Sequence, residues 1–178
     1  EWVAALEPVA LVFEMLTPAQ AARADVDWAS QADLDAAIGW TGGDWPSFDM
    51  YFPIFAAAPD AAIYGAGVPR DVLRAQMETP LALHPPTMVD AQRIRDAALA
   101  NAALRALEDT GGPVVVITGN GHARTDWGMP ALMGYAAPQV QVFALGQGEN
   151  GNVAEGLFAL TLDAPAPERG DPCAAFRQ

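Results

Sequence analysis

Two residues with acid–base side chains follow apolar runs, at positions where buried strands would end. His122 lies in TGNGHARTDWGMP, directly after the two close glycines at 119 and 121 and four residues after the apolar run 114–118. Glu14 is the single charge in LVFEML, within the apolar run 9–15. An imidazole in such a position can bind a metal, exchange a proton or hydrogen-bond an anion. A carboxylate at the end of a buried strand must be solvated, paired or bound to a ligand, because burying it alone is costly.

Both residues also have a purely structural interpretation. A histidine in a glycine-rich loop is commonly a turn residue, and Glu14 could form a salt bridge that holds a loop. Candidate partners for Glu14 are Arg70, Arg95, Asp96 and Arg124. Arg95 and Asp96 are adjacent on one predicted helix and therefore point in different directions, so at most one of them is expected to face the site. We predict that Glu14 and His122 lie on the same carboxyl-end side of one parallel sheet, with Arg70 nearby.

The loop after His122 contains further residues for which we predict shaping roles and no chemistry. These are Asp126, Gly128 and Pro130. Asp126 is expected to accept hydrogen bonds from neighbouring backbone N–H groups, as aspartate does in turns. Pro130 is expected to start the helix that follows.

Charge and composition restrict the classes of partner. The 178 residues include 22 acidic and 9 basic ones, for a net charge of −13, so neither nucleic acid nor anionic lipid is a favoured partner. The same acidity also serves solubility alone. Cys173 is the single cysteine, which leaves no internal disulfide and no cysteine cluster for zinc or iron–sulfur. The N-terminus has no initiator Met and no signal-peptide pattern, so the chain is expected to begin partway into a longer protein.

Apolar runs and helix-capping patterns alternate along the chain. Strands are predicted at 9–15, 61–66, 114–118, 139–144 and 157–162. Helices are predicted at 18–23, at 30–38, at 48–58 with an interruption at Pro53, from Pro69 to residue 77, at 88–108 and at 130–135. This order predicts one α/β domain with a mainly parallel sheet flanked by helices over residues 1–164, followed by a Pro-rich C-terminal tail at 165–178.

Several segments, in order, resemble the ChaN-like family, the haem-binding uptake branch of the Tiki, TraB and erythromycin-esterase-like group. GNGHARTDWGMP is similar to the family's C-terminal signature, and supporting segments are LVFEML, the stretch from Trp45 to YFPI, YGAGVPR and AQRIRDAALAN. The resemblance extends over roughly residues 9–144. The family opens with a strand that ends in a Gly-Glu-x-His-type motif, followed by a helix. Neither is present in this chain, so half of the paired Gly-x-x-His arrangement is absent.

The resemblance implies haem binding in bacterial iron uptake, in the periplasm or on an outer-membrane lipoprotein. Attachment to a membrane would be through an anchor that this chain does not contain. Tyr51 is then expected to be the iron ligand, with His122 ligating or hydrogen-bonding, across a two-fold homodimer. Arg70 and Arg124 are the candidates for the haem propionates. The remaining implied site residues are Glu14, Arg95, Asp96 and Trp127. Tyr51 and Phe52 could instead be ordinary core or surface aromatic residues.

Two alternatives to haem binding remain open from the sequence. In the first, a metal-dependent hydrolase like the Tiki and esterase relatives, Glu14 and His122 would activate water with or without a divalent metal. The missing Gly-Glu-x-His motif is what this chemistry needs most, so we expect a binding protein rather than an enzyme and assign no catalytic residue. The second alternative is a binding domain with a degenerate, non-catalytic site.

Overall fold

The computed structural model describes residues 2–24, 28–43, 45–78 and 87–166. His84, Cys173 and most of the predicted tail lie outside these ranges. Among the described residues, the helices are α1 (Trp2–Leu6), α2 (Pro18–Ala21), α3 (Gln31–Ile38), α4 (Phe52–Ala56), α5 (Arg70–Met77), α6 (Met88–Thr110), α7 (Asn120–Ala123) and α8 (Met129–Ala136), with a 3-10 turn at Phe48–Met50. The strands are β1 (Ala10–Phe13), β2 (Ala62–Gly65), β3 (Val114–Ile117), β4 (Leu145–Glu149) and β5 (Leu160–Ala164).

The central sheet is parallel and has the strand order β2-β1-β3. Its register sets Phe13 level with Gly65 and Ile117, so the carboxyl ends of the three strands meet at one edge. All four residues of β1 are fully buried, as expected of a central strand covered on both faces. The predicted fold class, α/β with a mainly parallel sheet, is confirmed.

Alternation along β1 divides the core into two layers. Leu11 and Phe13 pack into an aromatic cluster with residues of α3 and α4. In that cluster Phe13 stacks on Phe55 with ring centroids 4.3 Å apart. Ala10 and Val12 point to the other face and pack against α6 and α8. Glu14, the next residue after Phe13, follows the same alternation toward the α6 side.

Helix boundaries follow capping chemistry that is visible in the sequence. Thr17 and Thr87 form capping boxes at the starts of α2 and α6, and Ser30 caps α3. Gly111 ends α6 with φ of 80°, a left-handed conformation that favours glycine. The predicted start at residue 88 is correct to the residue, and α5 begins one residue after the predicted start at Pro69. The predicted helix 48–58 is interrupted, but the break precedes Pro53, which stands in the first turn of α4.

Some predicted elements are wrong or displaced. Residues 139–144, all of them described, form no strand, and β4 begins at Leu145 in a glycine-rich stretch for which no strand was predicted. The glycines of β4 serve close packing: a Cβ at Gly146 would lie 2.8 Å from the ring of Phe158. Strand β5 begins three residues later than predicted and pairs in parallel with β4 as a separate two-stranded sheet. The short helix α1 was not predicted, and His122 lies on α7 rather than in a loop.

Within the described residues, no helix is both long enough and apolar enough to cross a membrane.

Candidate functional site

Glu14 is fixed to the end of strand β3. Its backbone N–H donates to the carbonyl of Ile117 over 3.0 Å, which extends the β1–β3 pairing by one residue. Its carboxylate Oε2 accepts a hydrogen bond of 2.7 Å from the Thr118 hydroxyl and one of 3.0 Å from the Gly119 N–H. Charge-assisted bonds of this kind hold a carboxylate more firmly than neutral ones. The second oxygen, Oε1, is directed toward His122.

His122 connects Glu14 to helix α6. Its Nδ1 lies 2.7 Å from Asp96 Oδ1, and its Nε2 lies 3.6 Å from Glu14 Oε1. Asp96 and His122 are the two buried polar or charged residues among those described, at 5% and 9% exposure. We call Glu14, His122 and Asp96 the carboxylate–histidine cluster. Their distances confirm that Glu14 and His122 share the carboxyl edge of one parallel sheet.

Asp96, not Arg95, is the residue of the adjacent pair that contacts the imidazole. Asp96 is buried under His122, whereas the guanidinium of Arg95 hydrogen-bonds the side chain of Gln92 over 3.3 Å. This confirms that at most one of the two faces the site. The first turn of α7 brings His122 back over the end of β3. In that turn the His122 N–H donates to the Gly119 carbonyl.

The two carboxylates raise the pKa of His122. Burial by itself disfavours the imidazolium, but the hydrogen bond to Asp96 and the charges of Glu14 and Asp96 outweigh burial, with Arg95 opposing them. The net result is a pKa above the ordinary value of 6.5. Near neutral pH His122 therefore carries more positive charge than a free histidine. Its Nδ1 hydrogen-bonds Asp96, while its Nε2 forms a longer ion pair with Glu14.

Stability should depend on pH through this histidine. Because the folded pKa is raised, the contribution of His122 is fully present below the unfolded value of 6.5 and is lost as the pH rises through the higher folded value. We therefore expect the stability advantage of the wild type over a His122→Gln variant to shrink with rising pH. Urea unfolding of both proteins at a series of pH values measures this difference. A difference that stays constant or grows with pH would contradict the charge assignment.

The loop after His122 is held by its own side chains. Arg124 donates from Nε to Asp126 over 2.9 Å and from a second nitrogen to the other oxygen, and its guanidinium lies 4.9 Å from the ring centre of Trp127. This pairing lowers the pKa of Asp126 to about 2. The main partner of Asp126 is therefore a side chain, whereas the sequence predicted backbone donors.

Gly128 closes this loop against the backbone of His122. A Cβ at Gly128 would lie 2.4 Å from the His122 carbonyl oxygen, so no larger residue fits without moving that backbone. This contact agrees with the predicted shaping role. Helix α8 begins one residue before Pro130, so the proline stands in its first turn.

Tyr51 and Arg70 occupy other parts of the fold. Tyr51 is half-buried in the aromatic cluster, with its ring 4.7 Å from that of Trp40, on the face of the sheet opposite α6. Arg70 is exposed at the start of α5, five residues after β2 ends. It is therefore on the carboxyl-end side, as predicted. The sequence did not single out Thr118, although a hydroxyl directly after a buried strand was a usable signal.

The donors in the cluster are too few for a complete catalytic metal site. Asp96 occupies the Nδ1 of the imidazole. Within the cluster, this leaves Nε2 of His122 and Oε1 of Glu14 as the two atoms that could share a metal ion. Catalytic zinc sites usually have three protein ligands. Within the described residues, no group of three or more His, Cys, Asp or Glu side chains is arranged to hold a metal ion.

Comparison with known proteins supports the family resemblance over part of the chain. Residues 82–133 match the sequence model of a family described as haem-binding uptake, Tiki superfamily, ChaN. The matched segment contains Asp96 and His122, while Glu14, Tyr51 and Arg70 lie outside it. No curated protein matches the chain. No solved structure matches it either.

Proposed function

We propose that this chain is a haem-binding domain of bacterial haem uptake, with the carboxylate–histidine cluster as the polar centre of its site. The observation that carries the proposal is the buried Asp96–His122 contact, which lies inside the segment that matches a haem-binding uptake family. The cluster stands at the carboxyl edge of a parallel sheet, where α/β proteins commonly bind ligands.

The cluster suits a supporting role better than direct ligation of iron. An imidazolium has no free lone pair for a metal, and the two carboxylates raise the pKa of His122. Tyr51, in the aromatic cluster on the sheet face opposite α6, remains the proposed axial ligand, since a phenolate is a hard donor that favours ferric iron. His122 would then hydrogen-bond a polar group of the bound molecule. Arg70 remains the proposed partner of a propionate, whereas the guanidinium of Arg124 is already paired with Asp126.

The proposal extends to assembly and location. A haem group is wide and flat, and a site at a sheet edge covers one of its faces. We propose that a second copy covers the other face in a two-fold dimer. We also propose that the protein works in the bacterial cell envelope, as a periplasmic protein or a lipoprotein, because that is where haem uptake takes place.

A haemin titration of matched variants tests the proposal. We expect the wild type to develop a shifted Soret band, and we expect Tyr51→Phe and His122→Ala to weaken binding about tenfold or more. Tyr135→Phe is the matched control for the phenol, because Tyr135 is 88% exposed. Its affinity should equal that of the wild type. Light scattering of each sample with and without haemin reports the dimer.

Three outcomes would overturn parts of this proposal. Equal binding by the wild type, Tyr51→Phe and His122→Ala would remove both site assignments. Haemin binding without any gain in molecular mass would contradict the proposed dimer. A wild type that shows no Soret shift at all would remove haem as the ligand of this chain.

The hydrolase alternative has one observation in its favour. His122, set between two carboxylates with a raised pKa, is arranged as a general acid or base would be. Turnover of an ester or peptide that requires added divalent metal, and that is lost in Glu14→Gln, would establish this function instead.

A further inference from the structure

A groove with a volume of about 220 Å³ lies between helices α5 and α6, beside the carboxyl end of strand β2. The helices face each other across it, and its floor is the turn at residues 65–69. The groove is separate from the carboxylate–histidine cluster, none of whose members lines it. Its floor nevertheless packs on the segment that carries Glu14, because a Cβ at Gly67 would lie 3.0 Å from the Glu14 carbonyl oxygen.

The groove has apolar walls and one charged group. Val68, Pro69, Val72 and Ala98 are among the apolar lining residues. Arg105 is the single charged residue among the described residues that line the groove, and no carboxylate lines it. The chain has a net charge of −13, but the only formal charge among the described residues that line this groove is positive.

The polar groups at the groove are not used by the fold. Arg105 makes no hydrogen bond or ion pair with any residue that the structure describes, although its charge acts on the phenol of Tyr64. The hydroxyl of Tyr64 donates to Asp109, one helical turn from Arg105. The side-chain amides of Asn101 and Gln76 likewise have no hydrogen-bond partner within the described ranges. Five guanidinium N–H donors and two amides therefore remain available beside an apolar wall.

We propose that this groove binds a small aliphatic carboxylate, with Arg105 as its counter-ion. A planar guanidinium fits a carboxylate through two parallel hydrogen bonds, and the amide of Asn101 adds a donor. The alkyl chain lies against the valine, proline and alanine wall. The volume is below the roughly 300–1,000 Å³ of drug-sized sites, which limits the ligand to a few carbon atoms.

Butyrate is the probe, and its neutral isostere butyramide is the matched ligand control. We expect butyrate to shift the amide resonances of Gly67 and Asn101 in an NMR titration of the full chain, and butyramide to bind about tenfold more weakly. Arg105→Gln should weaken the binding of butyrate to the level of butyramide, because it removes the positive charge. The exposed helical position tolerates Gln well, so the variant should still fold. Arg93→Gln is the matched protein control on the same helix and should leave binding unchanged. Ala98→Leu should fill the groove and abolish binding of both probes.

Three results would overturn the assignment. Equal affinity for butyrate and butyramide would show that charge is not recognised. An equal loss of butyrate affinity in Arg105→Gln and Arg93→Gln would show that binding responds to the net charge of the protein and not to a contact with Arg105. Tighter binding of inorganic phosphate at the same resonances would identify the site as one for phosphate rather than carboxylate. The result is independent of haem binding, since it is measured with neither haemin nor metal present.

Discussion

Replacing Gly65 with Ala should lower the free energy of unfolding by about 3 kcal/mol or more. The new Cβ would lie 2.3 Å from the carbonyl oxygen of Thr17 and 2.5 Å from that of Leu16. Both atoms belong to the backbone, so no side-chain rotation relieves the overlap. The end of β2 or the turn before α2 must move. Urea unfolding followed by circular dichroism measures the loss.

Gly134→Ala is the matched control for this substitution. Gly134 lies within helix α8, and a Cβ there would meet nothing within 4 Å. Alanine in a helix should then raise the stability by up to about 1 kcal/mol relative to glycine. Similar stabilities for the two variants would show that β2 does not approach the Leu16–Thr17 turn as closely as described.

This close approach also connects the edge of the sheet to the site. The turn that Gly65 touches begins directly after Glu14, and the Gly67 N–H donates to the Leu16 carbonyl over 2.7 Å. Gly65→Ala should therefore disturb Glu14 together with β2. Gly65 and Gly67 in YGAGVPR allow this close approach, and so they help to position the carboxylate of Glu14 relative to His122.

The central fold was predictable because its signals are local. The buried strand β1 and the half-buried strand β3 are continuous apolar runs. Threonine or serine caps mark the starts of α2, α3 and α6. Strands β4 and β5 were misplaced for a different reason. The glycines of β4 pack closely against Phe158 and Asn152. These contacts depend on the three-dimensional arrangement and cannot be recognised from the local sequence pattern.

The edge position of Glu14 and His122 was predictable, whereas their partners were not. Parallel strands end at a common edge, so two residues that follow two neighbouring strands must meet there. The choice of Asp96 over Arg95 depends on the rotation of α6 about its axis, which a helix with alanines on several sides does not fix from sequence. The layer that contains Tyr51 depends similarly on how the aromatic cluster packs around Phe13 and Phe55.

Replacing Asp96 with Ala should destabilise the chain by about 3 kcal/mol, because it leaves the buried imidazole without its Nδ1 partner. Asp96 is 5% exposed, and its Oδ1 lies 2.7 Å from His122. Asp96→Asn should cost less, since the amide oxygen still accepts a hydrogen bond from the ring. In this variant the charge is lost, so the pKa of His122 should fall below that of the wild type. Urea unfolding and an NMR titration of the histidine resonances measure the two effects.

Asp109→Asn is the matched control, because it removes a carboxylate from the same helix at an exposed position. Asp109 accepts a hydrogen bond of 2.9 Å from Tyr64, so its replacement should change stability by about 1 kcal/mol or less and leave the His122 titration unchanged. An equal shift of the His122 pKa in both variants would mean that the helix acts through its overall charge. A shift confined to Asp96→Asn would show that one buried contact raises the pKa of the imidazole and so favours the form in which His122 can donate to a ligand at the sheet edge.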